Sequence, residues 1–332
     1  MKIVVTQRIH EEVAALLEPH GSVVANDSPE PWPQHQLLAH ARDAHALMVF
    51  MPDSLDDTLL AACPNLRIVA AALKGADNFD VAACTARGIW FTLVSDLLSE
   101  PTAELALALM LGLARNVTPG DQAIRSGRFR GWRPTLYGTG LAGSTVGMIG
   151  YGAVARALAR MLAGFACTTQ FHDPAHLGSI PLDDLLTTSD FILPLIPLTP
   201  ATLHLINAMT LRLMKPGSYL INVSRGSVVD EAAIAAALES GQLSGYAADT
   251  FEMEDWARPD RPHEIHPRLL ALHDRTLFTP HLGSAVASVR KEIERAAATN
   301  IIEALQGRRP PDAINSPNHP RNSLSQSGQH GI

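Results

Sequence analysis

The chain has 332 residues, 46% of them hydrophobic, enough for two domains of ordinary size and a sizeable buried core. A formal net charge of -7 gives no general attraction to nucleic acid or an anionic lipid surface, so any anion recognised must be caught by a local cluster of cations. The three cysteines, Cys63, Cys84 and Cys167, lack the close spacing of a zinc site or redox pair and read as reduced core thiols.

The first residues, "MKIVVTQRIHEEVAALL", contain no sustained apolar segment. Neither a signal peptide nor a membrane span is expected, and a soluble, cytoplasmic protein follows. Short apolar runs, "KIVVT", "SVVAN", "ALMVFM", "LRIVAAAL" and "IWFTLV", predict five strands. Helix-period segments near 10–19, 34–43, 56–62 and 78–87 separate them. That alternation predicts a parallel sheet covered on both faces. Lys74 stands where the fourth run ends, in "RIVAAALKGADNFD", and a lone lysine there reads most simply as a solvated surface residue.

One long helix is predicted from about Ser99 to Ser126, with Pro101 in its first turn. A second series of strands follows, "TVGMIG", "TTQFHD", "FILPLIP", "SYLINVS", "GYAADTF" and "LFTP". A last helix, about 285–305, lies beyond this series and can pack back on the first domain, which would make that domain discontinuous. The fold class is therefore α/β, with two Rossmann-like parallel-sheet domains. The cofactor domain, 99–283, is inserted into a substrate domain formed by 1–98 and 284–312, and 313–332 reads as a polar, unstructured tail.

The second series opens with "TVGMIGYGAVARALARML". A strand runs into Gly150-Tyr151-Gly152, and a helix of small and apolar residues follows, which is the context of a dinucleotide fingerprint. The first glycine permits a tight turn. The second lets backbone amides approach a pyrophosphate at the helix N-terminus. Ala155 takes the third position. Asp173, about twenty residues beyond the fingerprint and at the end of the next strand, can accept from ribose hydroxyls and repel a 2'-phosphate, so NAD is preferred to NADP.

"INVSRGSVVDE" reads as a strand that delivers Arg225 to its carboxyl end, where ligands of parallel sheets bind and where a guanidinium can grip an anion. A turn at Gly226 and a helix from near Asp230 follow. Downstream, "GYAADTFEMEDW" ends a strand with Asp249, Glu252 and Glu254, and "LFTPHLGSA" ends another with His281. A carboxylate on one imidazole nitrogen fixes the tautomer and raises the basicity of the other.

"VGMIGYGAVARALA", "NVSRGSVVDE", "DTFEMED" and "TPHLGS", in this order and spacing, resemble the D-2-hydroxyacid dehydrogenase superfamily over nearly the whole chain. The resemblance implies a two-domain, usually dimeric enzyme with its active site in the interdomain cleft and Arg225, Glu254 and His281 as the catalytic set. Glu252 is the second candidate for the acid. Within the superfamily, "MVFMPDSLD", "AALKGADNFDVAACTARGIW", "DLLSEPTAELALALMLGLAR", "IRSGRFRGWRPTLYGTGL" and "TPHLGSAVASVRKEIER" most resemble the phosphite (phosphonate) dehydrogenases. That implies Lys74 as a second cation facing Arg225, with Met51, Gly75, Trp132, Tyr137, Ser284 and Arg290 lining or supporting the substrate site. Thr102, Ala153, Val154, Leu195, Ile196, Pro197, Val223 and Asp249 would join Gly150, Gly152 and Asp173 around NAD. No metal is implied. The connection from Asp173 to Asp190 is shorter than the family's, and Asp173-Pro174 reaches less far than glutamate. An ordinary 2-hydroxyacid dehydrogenase or 2-ketoacid reductase is the alternative. A non-catalytic NADH-sensing scaffold resembling the C-terminal-binding corepressors is a third reading, from another class.

Overall fold

The computed structural model describes residues 1–94 and 96–321. The chain divides into two compact units, Met1–Leu98 together with the chain from Val286 on, and Ser99–Ala285.

In the first unit, β1 (Lys2–Val5), β2 (Ser22–Ala25), β3 (Ala46–Val49), β4 (Ile68–Ala71) and β5 (Trp90–Leu93) form a sheet in the order β2-β1-β3-β4-β5. Every neighbouring pair is parallel. Strand side chains alternate between faces, and both faces are apolar. Val4, Leu47, Val49, Val69 and Phe91 pack with the helices α2 (Gln34–Ala41), α3 (Asp57–Ala61) and α4 (Val81–Ala86). Ile3, Val5, Met48, Ile68 and Ala70 pack with α1 (Glu11–Leu17) and with Ile293, Ala297 and Ile301 of the C-terminal helix Ala287–Leu305. This is why a helix so late in the chain completes the first unit.

The tail expectation is corrected for residues 313–321. Ala313 bridges to Thr92, Asn315 is buried with its side chain bonded to Phe91, Thr85 and Ile89, and Arg321 donates to the carbonyls of Cys63, Pro64 and Leu66. Few apolar anchors were legible because the attachment is polar. The rest of the expected tail, 322–332, lies outside the described residues.

In the second unit, α5 (Ser99–Ala114) and α6 (Val117–Arg125) lead to β6 (Thr145–Ile149), α7 (Ala153–Leu162), β7 (Thr168–His172), α8 (Leu182–Thr188), β8 (Phe191–Pro194), α9 (Ala208–Leu213), β9 (Ser218–Asn222), α10 (Glu231–Ser240), β10 (Leu243–Ala248), α11 (Pro267–Ala271) and β11 (Thr276–Phe278). The strand order is β11-β10-β9-β8-β6-β7, again all parallel. The strand order reverses between β6 and β8, which is the switch point where such sheets open a ligand crevice.

The single helix expected over 99–126 is two. Asn116 sits between them in the left-handed region with φ 53°, a conformation its short polar side chain tolerates. The returning chain makes the break: Thr139 N–H donates to the Ala114 carbonyl at 2.9 Å, and the Asn116 amide donates to the carbonyls of Leu136 and Tyr137. The end of α5 is thus capped by a segment more than twenty residues away. Among the described residues no helix is long and apolar enough to cross a membrane. Cys63 and Cys84 are buried, and no described cysteine forms a disulfide.

Candidate active site

At the switch point of the second unit, β6 ends in Gly150, whose φ of 94° suits only glycine, and an added Cβ would lie 2.7 Å from the Leu195 carbonyl oxygen. Gly152 is different: nothing stands within 4 Å of the place a Cβ would occupy, and it caps α7 without any side-chain bond to the first amides. Open space over uncapped amides at a ten-residue helix fits the pyrophosphate of a dinucleotide. Ala153 and Val154 form the first turn of that helix, and Leu195, Ile196 and Pro197 follow β8 beside it. Val223 is buried just after β9.

Asp173 follows β7. Its carboxylate accepts from Tyr151 N–H at 2.9 Å and Ala175 N–H at 3.1 Å, and lies 3.2 Å from His176 Nδ1. The Tyr151 amide, then Ala175 and His176, hold this acid below the usual carboxylate range. The Tyr151 ring stacks on Phe171 at 3.8 Å. Asp173 is thereby tied to the glycine turn, the place a ribose acceptor needs.

Arg225 leaves the carboxyl end of β9 on a turn built by Asn222. The Asn222 side chain accepts from Ser224 N–H and Oγ and donates to the Arg225 carbonyl at 2.9 Å. Arg225 Nη1 donates to the Ser224 carbonyl at 2.9 Å. Sequence reasoning passed over Asn222, although asparagine two residues before a serine is a recognisable Asx-turn signal.

His281 is half-buried in the left-handed region with φ 56°. A non-glycine residue held there costs of order 1 to 3 kcal/mol and needs surrounding structure to enforce it. Asp249 enforces it: this buried carboxylate accepts from Thr279 Oγ1 at 2.6 Å, Leu282 N–H at 2.7 Å and Gly283 N–H at 2.8 Å. Burial raises the Asp249 carboxyl pKa, and those donors and His281 oppose the rise. Thr102, in the first turn of α5, donates to the Gly283 carbonyl at 3.3 Å. Asp249 and Thr102, expected beside the cofactor, anchor the histidine loop, on which Ser284 follows.

His281 Nδ1 meets Glu254 Oε2 at 2.6 Å, and Glu254 Oε1 accepts Phe251 N–H at 2.9 Å. The pair aligns the imidazole through one nitrogen. Glu252, the other candidate acid, faces away: it bonds His204 Nε2 at 2.9 Å and Glu231 N–H at 3.1 Å.

In the first unit, Lys74 and Gly75 follow β4 and Met51 follows β3, each half-buried. The Asn78 side chain donates to the Met51 carbonyl at 3.0 Å and joins their two loops. Arg290, on the C-terminal helix, stands over the Phe50 ring at 5.7 Å, and burial lowers its pKa. Trp132 and Tyr137 are 78% and 77% exposed, on the segment that returns from α6 to cap α5. Among the described residues no cluster of acids, histidines or cysteines could hold a metal ion.

Residues 107–283 match the model for the D-isomer specific 2-hydroxyacid dehydrogenase, NAD binding domain. The chain is 34% identical over 328 residues to a glyoxylate reductase from Pyrococcus furiosus, covering 95% of each. A solved protein from Thermus thermophilus superposes with a TM-score of 0.86 at 31% identity, over 95% of this chain and all of that one. An NADPH-dependent glyoxylate/hydroxypyruvate reductase from Sinorhizobium meliloti, in complex with NADP and malonate, superposes with a TM-score of 0.80 at 27% identity, covering 97% and 99%.

Proposed function

The chain belongs to the D-isomer specific 2-hydroxyacid dehydrogenase family, with an NAD-binding domain, and from that premise we propose that it oxidises phosphite to phosphate with NAD. Lys74 supports this substrate. A second cation in addition to Arg225 suits a compact dianion better than a monocarboxylate.

NAD, when bound, is the hydride acceptor, held by the amides after Gly152, by Asp173 and by the Leu195–Pro197 segment. Arg225 and Lys74 bind and orient the phosphite oxygens. The P–H bond breaks as hydride leaves, and a water oxygen forms the new P–O bond. His281, aligned by Glu254, takes the proton from that water, so one proton is released per phosphate formed. Met51, Gly75, Ser284 and Arg290 shape the substrate side in this reading, and a homodimer belongs to the same proposal.

The relatives' names favour a second reading, since they are glyoxylate and hydroxypyruvate reductases. There His281 would deliver its proton to a carbonyl oxygen while Arg225 holds the carboxylate. Purified protein assayed for NADH formation with phosphite, and for NADH consumption with glyoxylate and hydroxypyruvate, separates the two. Turnover of phosphite above that of either 2-oxoacid is expected. Reduction of the oxoacids without phosphite turnover overturns the first reading in favour of the second. NADH binding with no turnover of any of them would point to the sensing scaffold.

A further inference from the structure

Behind Arg225 and Glu254 lies a group of charged side chains to which the reaction assigns nothing. Glu252 N–H donates to Glu231 Oε1 at 3.0 Å, and Glu231 N–H donates back to Glu252 Oε1 at 3.1 Å. Glu231 Oε2 accepts His266 N–H at 2.8 Å. Glu252 Oε2 meets His204 Nε2 at 2.9 Å and Arg258 Nη1 at 3.5 Å. Arg258 Nη1 also donates to Ser227 Oγ at 2.6 Å, and Ser227 N–H donates to Asp255 Oδ2 at 2.7 Å. Both glutamates are more than nine-tenths buried by exposed surface, at 3% and 8%.

The bonds to Ser227 fasten two turns together, and the Glu231–Glu252 pair ties the second of them to the start of α10, just beyond the first. One, Gly226–Val228, directly follows Arg225; the other, Glu252–Glu254, ends in the acid that aligns His281. The backbones of the turns also meet directly: a Cβ on Gly226 would fall 1.8 Å from the Phe251 carbonyl carbon and 2.2 Å from Glu252 N. Resting on the catalytic roles proposed above, we infer that Glu252 is a positioning residue, whose reciprocal bonds with Glu231 and link to Arg258 set Arg225 and Glu254 at working separation. Two buried carboxylates are a costly way to fasten turns if only stability is needed, since apolar packing does that as well. What they add is direction, because each oxygen has a fixed donor.

The test compares Glu252→Ala, Glu252→Gln and Arg258→Met with the unaltered chain by kcat, KM for NAD, NADH affinity from nucleotide fluorescence, and hydrogen exchange of the two turns. Glu252→Ala should lower kcat by about a hundredfold, the effect of a displacement near 1 Å. Glu252→Gln, which keeps an acceptor for Glu231 N–H, should recover part of that loss. NADH affinity should hold throughout, because the glycine turn and Asp173 lie at β6 and β7. Exchange should rise in Gly226–Val228 and Glu252–Glu254 together. A kcat for Glu252→Ala near that of the unaltered chain, or exchange rising in one turn alone, overturns the inference. If Glu252→Ala does not fold, Arg258→Met decides: unchanged kcat and unchanged exchange refute the clamp. If the unaltered chain turns over none of the substrates, the proposed function fails, while exchange still judges the clamp without any substrate.

Discussion

At the scale of single residues, the site depends on side chains whose backbone is held more firmly than their own contacts require. Arg225 is aimed by the Asn222 turn, and one of its five N–H donors goes to the Ser224 carbonyl. The planar fork is what distinguishes it from lysine. Arg225→Lys keeps the charge but cannot make two parallel bonds to an oxyanion, so catalytic efficiency should fall roughly tenfold to a hundredfold, as expected for losing a bond to a charged group. Steady-state kinetics with the best substrate measure this, and near-normal turnover would remove Arg225 from the site. Asp173 makes a different case, since its oxygens already accept from Tyr151 and Ala175. A carboxylate can accept about four hydrogen bonds, so ribose hydroxyls remain within its capacity. Asp173→Ala should weaken NAD and favour NADP, narrowing the ratio of their Michaelis constants by about tenfold, the effect of one hydrogen bond to a charged group. If both constants stay where they were, Asp173 serves only to tie down the glycine turn.

At the scale of elements, both sheets reverse strand order next to their first strand, yet only one leaves that place open for a ligand. In the second unit it holds the Gly150–Gly152 turn. In the first it is filled by the chain itself: Thr6 after β1, Asn26 after β2 and Asp53 after β3 are all buried. Asp53 Oδ2 accepts Phe50 N–H at 2.7 Å and meets Thr6 Oγ1, which also reaches the Met48 carbonyl. Burial pushes the Asp53 carboxyl up to about 6, against the opposing pull of Thr6 and Phe50. An acid with a folded value above its unfolded one is stabilising while protonated and loses that advantage as pH rises through the folded value. The chain should therefore lose up to roughly 3 kcal/mol from this group between about pH 4 and 6. Asp53→Asn carries no charge to bury, so its melting temperature should gain on the unaltered chain by several degrees from pH 4 to 7. A difference that stays flat with pH would show that Asp53 ionises as freely folded as unfolded. None of this was legible in "MPDSLD", because the sequence does not say which aspartate is enclosed. The strands and glycine turn were legible because apolar runs and φ-positive glycines are local signals. The break at Asn116 was not, because its cause is the distant chain that caps Ala114. Arg225 and His281 were legible as strand-end residues, and the preference for Glu254 over Glu252 came from the resemblance; the structure sets Glu254 on His281 and sends Glu252 to His204 and Glu231.

At the scale of the whole molecule, a chain of net charge -7 repels small dianions at long range, so an oxyanion must be held by cations placed for it. Each unit offers one at a strand end, Arg225 after β9 and Lys74 after β4. Glyoxylate, a monocarboxylate, needs one cation, and in the proposed reading Arg225 provides it. Phosphite carries two charges on three oxygens, and Lys74 is what the phosphite proposal adds. Lys74→Ala should then raise the Michaelis constant for phosphite and weaken competition by sulfite, an oxyanion of similar shape, while the constant for NAD holds. A charge-assisted hydrogen bond is worth about 1.5 to 3 kcal/mol, so efficiency with phosphite should fall roughly tenfold to a hundredfold. Any reduction of glyoxylate should change less than about twofold, as at an ordinary surface substitution. Lys74→Ala would thus shift the molecule's preference from the dianion toward the monocarboxylate. Kinetics with each substrate varied in turn measure that shift, and equal losses on phosphite and glyoxylate would mean that Lys74 supports the fold of its loop and does not select the substrate.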